Sequence, residues 1–272
     1  MKRYVVRNKP VGATPLQCME DWRAAQPPAY ADVPLTYAGR LDPLASGTLL
    51  ILIGEECKKK DQYLALDKAY SFSVLLGVSS DSGDVLGLTD TTVPTTLPAT
   101  KLQIAARQCV GDITLPYPIF SSKTVAGKPL HTWAMEGRLS EIIIPTKSST
   151  VYYLRHAGTD TLSATDIHAH VHAKINTILP VTELRKALGN DFRRTDVLAG
   201  WDTWLERNLN TTWQIAHFTC IASSGTYMRT LASEIATQCN TRGLAWSIER
   251  TTIGTYQTLP FIKTGFWRGR YR

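Results

Sequence analysis

The chain has 272 residues, 43% hydrophobic and 19% charged, with 18 Gly and 14 Pro, which excludes a disordered, collagen-like or coiled-coil protein. Its 30 Lys and Arg against 23 Asp and Glu give a net charge of +7, compatible with a polyanionic partner. No run approaches the roughly 20 apolar residues that span a bilayer, no Cys-x-x-Cys pair or secretory pattern occurs, and the five cysteines are scattered, so a reduced cytoplasmic protein without membrane contact is expected.

Residues 4 to 7 read as a short strand and Asn8 to Gly12 as a turn. Thr14 is placed to cap a helix from Pro15, with Leu16, Met19 and Trp22 on its apolar stripe. Residues 36 to 48 form a polar loop punctuated by glycine, feeding a buried-type strand from Leu49 to Ile53. From Tyr70 the chain alternates: Tyr70, Phe72, Val74 and Leu76 share one face, Ser71 and Ser73 the other, as in a half-buried strand ending at Gly77. Thr100 with Gln103 resembles a capping box opening a helix to about Cys109. Residues 151 to 157 read as a strand, and 161 to 180 as a continuing strand region. Residues 182 to 208 read as one or two helices with Leu184, Leu188, Phe192, Val197, Trp201, Trp204 and Leu205 as the apolar face. A strand at 215 to 221 leads through Ser223 to Tyr227 into a helix striped by Met228, Leu231, Ile235 and Cys239. Within the presumptive strand region, His168, His170 and His172 alternate. A neighbouring pair could share a zinc ion, but without a nearby Cys the expected reading is a solvated or RNA-facing strand and no metal site.

Asp42 lies in Gly39-Arg40-Leu41-Asp42-Pro43-Leu44-Ala45-Ser46-Gly47. Pro43 holds the Asp42 backbone extended, and the flanking glycines permit a tight loop that a ligand can approach. A carboxylate held this way suits a nucleophile or base, although an Asp before Pro is by itself more often a turn residue. No P-loop, dinucleotide fingerprint or metal-ligand cluster accompanies it.

Four segments in order resemble the TruB family of tRNA pseudouridine synthases. They are Asn8-Lys9-Pro10-Val11-Gly12-Ala13-Thr14, residues 38 to 50 around Asp42, Asp67-Lys68-Ala69-Tyr70 with the following Leu76 to Gly87, and Ser224-Gly225-Thr226-Tyr227-Met228-Arg229. Between them, Gly111 to Pro118, Ser122, Gly127 and Gly137 resemble the family's RNA-gripping insertion, and Arg250 follows Arg229 at about the expected distance. The resemblance implies an α+β chain with the pseudouridine synthase fold, a mixed, largely antiparallel central sheet flanked by helices and loops. It implies a single catalytic domain over residues 1–272, with an embedded insertion at about 158–212 and a basic-aromatic tail at about 262–272. No PUA domain is expected.

The implied activity is conversion of uridine 55 in the tRNA T-loop to pseudouridine, by a cytoplasmic monomer with no cofactor, no metal and no obligate protein partner. Asp42 would be the nucleophile and Arg229 its charge partner. Tyr70 would stack on the flipped uracil and move the proton. Tyr227 would be a second ring in the pocket and Ile248 an apolar wall, with Lys68 and Lys9 supporting the site or reaching phosphate. Lys58-Lys59-Lys60, Arg193-Arg194 and the tail from Lys263 to Arg272, with Trp267 and Tyr271 as stacking rings, would hold RNA. Two positions beside the nucleophile depart from the family pattern. Tyr37 stands where a histidine is usual, and Arg40 where a small polar residue is common. Gly-Arg-Leu-Asp also resembles the RluA and RsuA synthases, so a synthase for another RNA is the alternative within the class. A non-catalytic RNA chaperone on the same fold is the alternative outside it.

Overall fold

The computed structural model describes residues 2–180, 191–259 and 265–272. In chain order the strands and helices are β1 (Tyr4–Lys9), α1 (Pro15–Ala24), β2 (Leu35–Ala38), β3 (Ala45–Ile53), α2 (Lys60–Leu64), β4 (Asp67–Leu76), β5 (Val78–Ser80) and β6 (Thr89–Thr92). They continue with α3 (Ala99–Gln108), β7 (Gly111–Pro116), β8 (Thr124–Val125), β9 (Lys128–Pro129), α4 (Leu130–Met135), β10 (Thr146–Ser163) and α5 (Ala164–Thr177). The last are α6 (Arg194–Asn208), β11 (Thr212–Ala222), α7 (Met228–Gln238), β12 (Gly243–Thr258) and β13 (Gly265–Tyr271).

Nine of these strands form one sheet in the order β1-β3-β12-β4-β11-β10-β7, with β2 added to β3 and β13 to β12. Every pairing is antiparallel except β12 with β3, so the expected α+β class with a mixed, largely antiparallel sheet is what the chain adopts. β3 reads as a continuous apolar run because it lies inside the sheet and is covered on both faces.

One face of the sheet packs against α3 and α7. Phe72, Val74 and Leu76 of β4 meet Leu102 and Ala106 of α3 and Leu231, Ala232 and Ile235 of α7, the last three spaced as an amphipathic helix requires. Phe72 and Phe218, opposite each other on β4 and β11, stack at 5.5 Å. The other face is not solvated as the alternation in β4 predicts. Leu75 is buried there with Ile215 and Leu244, under Ile167, Val171 and Ile175 of α5 and Val197, Trp201 and Trp204 of α6. Ser73 is buried on that side and bonded to His217 Nδ1 and Ser247 Oγ.

Four further expectations need correction. Residues 164–177 are a helix, not strand: Ser163 caps it through Asp166 N at 3.1 Å. Ala164, Ile167, Val171 and Ile175 form a helical stripe, which outweighs the alternating histidines. Residues 158–163 belong to β10, paired with β11 in the sheet, so the chain leaves the sheet only after Ser163. There is no capping box at Thr100, because α3 begins at Ala99 behind Pro98. The Gln214 side chain clamps the Leu97 N–H and C=O at 2.8 and 2.9 Å and sets that earlier start. In α1 the cap is as expected, Thr14 Oγ1 accepting from Gln17 N, but Leu16 faces solvent and Cys18 takes its place beside Met19 and Trp22. Leu184, Leu188 and residues 260–264 lie outside the described residues. No helix among the described residues is long and apolar enough to cross a membrane.

Candidate active site

The Asp42 loop connects β2 to β3 and enters the sheet at the parallel seam between β3 and β12, where Ile248, Glu249 and Arg250 pair with Ala45, Ser46 and Gly47. Arg250 shapes the loop. Its guanidinium is buried and donates from Nε to Thr48 O at 2.8 Å and from Nη2 to Gly39 O at 3.0 Å. Gly47 has φ +103° and lies so close to the Arg250 backbone that a Cβ would sit 2.3 Å from its carbonyl oxygen, so only glycine fits. From the other side the N-terminal turn braces the loop through Gly12 N to Pro43 O at 2.9 Å.

Asp42 is thereby held with its side chain 40% exposed, and Arg229 meets it from beneath, Nε to Oδ2 at 2.9 Å. Arg229 sits in the first turn of α7 and is only 5% exposed. Its other nitrogens donate to Ser82 O at 3.0 Å and Phe120 O at 3.1 Å, so the guanidinium is fixed in place. A second carboxylate, Asp84, lies 3.6 Å from the same Nε. Asp84 is buried, which pushes its pKa up against the pull of Arg229 and of the bond from Ser82 Oγ at 2.7 Å. Burial works to lower the Arg229 pKa, but Asp42 and Asp84 outweigh it and the net direction is upward.

Tyr70 lies on β4 directly opposite Arg250, close enough for its phenol to feel the guanidinium charge. Burial raises the Tyr70 pKa, partly offset by that cation. Tyr227 packs against Tyr117 at 5.2 Å between ring centres, and its pKa is raised by burial and then by the neighbouring Tyr117 and Asp42. Both phenols feel the Asp42 charge. Asp42, Tyr70, Tyr227 and Arg229 therefore converge, and Ile248 is buried behind the loop with Leu41 and Ala45. What the arrangement offers chemically is a solvent-reaching carboxylate on a rigid cation, beside two neutral aromatic hydroxyls.

The remaining expected residues sit elsewhere. Lys9 is fully buried and donates to Pro10 O and Ala13 O at 2.9 and 2.7 Å. Lys68 is also buried and donates to Leu64 O and Leu66 O. Burial lowers each to about 8. Both ammoniums tie loops down from within. Tyr37 packs on β2 with Met19, Trp22 and Ile51, under Lys60, and Arg40 is exposed beside the loop. Among the basic runs, Lys58 and Lys59 pair with Glu55 and Glu56. Arg193 binds Asp81 at 2.6 Å and Arg194 binds Asp191 and two carbonyls, so this pair holds the fold together rather than facing outward. Trp267 and Tyr271 of β13 have ring partners in Tyr256 and Tyr4. Asp84, Tyr117 and Phe120 were missed as site residues. Asp84 was inside the segment matched after Tyr70, but nothing in its local spacing signals that Arg229 will be shared.

Comparison with known proteins adds the following. Residues 34–177 match the family model described as TruB family pseudouridylate synthase (N terminal domain). The tRNA pseudouridine synthase B of Methylobacillus flagellatus is 35% identical over 144 residues, 53% of this chain and 45% of that protein. The tRNA pseudouridine synthase 4 of Saccharomyces cerevisiae is 38% identical over 126 residues, 45% of this chain and 31% of that protein. The match thus spans less than half the length of either relative. A solved Cbf5-Nop10-Gar1 complex superposes with a TM-score of 0.54 at 14% identity, covering 92% of this chain and 48% of that one. That likeness shows the fold alone.

Proposed function

The chain belongs to the TruB pseudouridylate synthase family, and from that premise we propose that it isomerises uridine 55 in the T-loop of tRNA to pseudouridine, as a cytoplasmic monomer. The observation that carries the reading is the 2.9 Å contact between half-exposed Asp42 and buried Arg229. A protein that only binds RNA gains nothing by aiming a carboxylate at a phosphate field. Asp42 is the nucleophile in this reading. Arg229, fixed by two carbonyls and facing Asp84 as well, orients the carboxylate and keeps it from collapsing onto another donor.

The target uridine leaves its stack at a cost of a few kcal/mol, offset by stacking on aromatic side chains and hydrogen bonds to the base edge. Tyr70 and Tyr227 supply the rings. Attack by Asp42, on C1′ or on C6 of the base, leads to breakage of the N1–C1′ bond, and the bond to Asp42 breaks in turn before product leaves, restoring the carboxylate. The base rotates and rejoins through C5, N1 gains a proton and C5 loses one, so no electron acceptor is needed. In this reading the Tyr70 hydroxyl, beside the Arg250 guanidinium, passes the C5 proton on. Buried Ile248 keeps the floor of the pocket apolar. Arg40, exposed next to the nucleophile, favours a second reading in which a stem-loop of another RNA is the substrate.

Pseudouridine mapping on a T-arm stem-loop, an altered T-loop and an rRNA stem-loop, with wild type and Asp42→Asn, tests both readings. Product from wild type alone at the T-loop uridine supports the first reading. Product only on the rRNA stem-loop moves the substrate, and product from Asp42→Asn removes Asp42 from the nucleophile's role.

A further inference from the structure

Helices α5 and α6, which cover the second face of the sheet, carry a cluster that this reaction does not use. His168 and His172 are one turn apart on α5, and Asp202 faces them from α6. His168 Nε2 and His172 Nε2 lie 2.7 and 3.0 Å from the same atom, Asp202 Oδ1. The imidazoles are 4.0 Å apart at 36°. His172 Nε2 is buried and, despite its distance from the carboxylate, makes no well-aligned hydrogen bond. His170, on another side of the helix, meets the edge of Trp246 instead. The three ligand atoms all lie within 4.8 Å of one another.

We propose that His168, His172 and Asp202 form a binding site for a divalent transition-metal ion of the zinc class, clipping α5 to α6. The donor set decides the class: two imidazoles and one carboxylate suit zinc, nickel or copper, whereas calcium and magnesium take all-oxygen sites. Tetrahedral zinc holds nitrogen and oxygen at about 2.0–2.2 Å, which sets neighbouring donors about 3.3–3.5 Å apart. Admitting the ion therefore asks the Asp202 side chain to retreat by roughly half an ångström. Asp202 is 54% exposed and free to do so. Buried Ile167, Val171 and Ile175 hold the helix that presents the histidines. Asp202 is the most exposed of the three ligands, and water would complete the shell.

The test uses the full chain stripped with a chelator and titrated with zinc chloride. One Zn²⁺ per chain is expected, with X-ray absorption showing a nitrogen and oxygen shell at about 2.0–2.1 Å and no sulfur. At zinc 100-fold above Kd the Tm should rise by roughly 5 °C or more. The double variant His168→Gln/His172→Gln should lose binding by at least about 100-fold, His170→Gln should bind as wild type, and both should keep the metal-free Tm. If the double variant folds poorly, Asp202→Asn gives the same reading from an exposed position, with binding weakened by about 10-fold or more. Undiminished zinc binding in the variants, an absent Tm shift, or a sulfur shell at about 2.3 Å overturns the proposal.

Discussion

Replacing Arg229 by Met separates stability from chemistry at the site. The guanidinium is 5% exposed, donates to the carbonyls of Ser82 and Phe120, and neutralises Asp42 and the buried Asp84. Met fills similar volume but strands Asp84 without a cation and leaves two carbonyls without their donor. Removing one member of a buried ion pair costs about 3–5 kcal/mol, which corresponds to a fall in Tm of roughly 6–20 °C. Asp42→Asn should differ, because a 40% exposed carboxylate contributes at most about 1 kcal/mol to stability while its loss should abolish turnover. In the double variant Arg229→Met/Asp84→Asn the stranded charge is gone, so at least about 1 kcal/mol of the loss should return. Urea unfolding of wild type, Arg229→Met, Asp84→Asn and the double variant measures the cycle, with Asp42→Asn alongside and pseudouridine formation assayed in parallel. If Arg229→Met unfolds within about 0.5 kcal/mol of wild type, the guanidinium is not what holds this pocket together.

Tyr70→Phe keeps the ring and removes the hydroxyl at Arg250, so kcat should fall by about 100-fold with KM nearly unchanged; single-turnover rates check this, and a pure KM effect would contradict it. Gly47→Ala forces a Cβ to 2.3 Å from the Arg250 carbonyl at φ +103°, and should lower stability by more than about 2 kcal/mol, read by thermal melting, together with loss of activity. Lys68 has a folded pKa lowered by burial to about 8 from 10.5, so the unfolded chain binds the extra proton between those values. Wild type should therefore gain stability relative to Lys68→Met as pH rises from 8 to 10.5, by about 1–3 kcal/mol. Urea midpoints at both ends of that window measure the difference, and a constant gap would show that the ammonium is not buried in solution.

The legible parts of the molecule were those where one local pattern had one interpretation. The stripe Met228, Leu231 and Ile235, the apolar run of β3 and the Thr14 cap all depend on spacing within a few residues. Asp42, Tyr70, Tyr227 and Arg229 stood out because each lies in a distinctive segment, and the structure brings these four together. Two kinds of feature escaped. The first is anything decided by a distant partner: Gln214 resets the start of α3, and α5 with α6 cover a face that the Ser71 and Ser73 alternation presents as polar. The second is the fate of cations. A lysine in a sequence reads as surface, yet Lys9 and Lys68 are buried against carbonyls, and Arg193 and Arg194 are occupied by Asp81 and Asp191. The histidines misled for a related reason, since period-two spacing among three residues was weaker than the helical stripe running through the same stretch.

The way Arg250 grips the Asp42 loop has a consequence for the order of synthesis. The bonds that shape this loop join residues 202 and 211 positions apart, and Arg229 beneath Asp42 is also remote along the chain. A ribosome-bound fragment ending before Met228 contains Asp42 but neither arginine. The Asp42 loop thus lacks the bonds that shape it while most of the protein is being made, and gains them only as β12 inserts between β3 and β4.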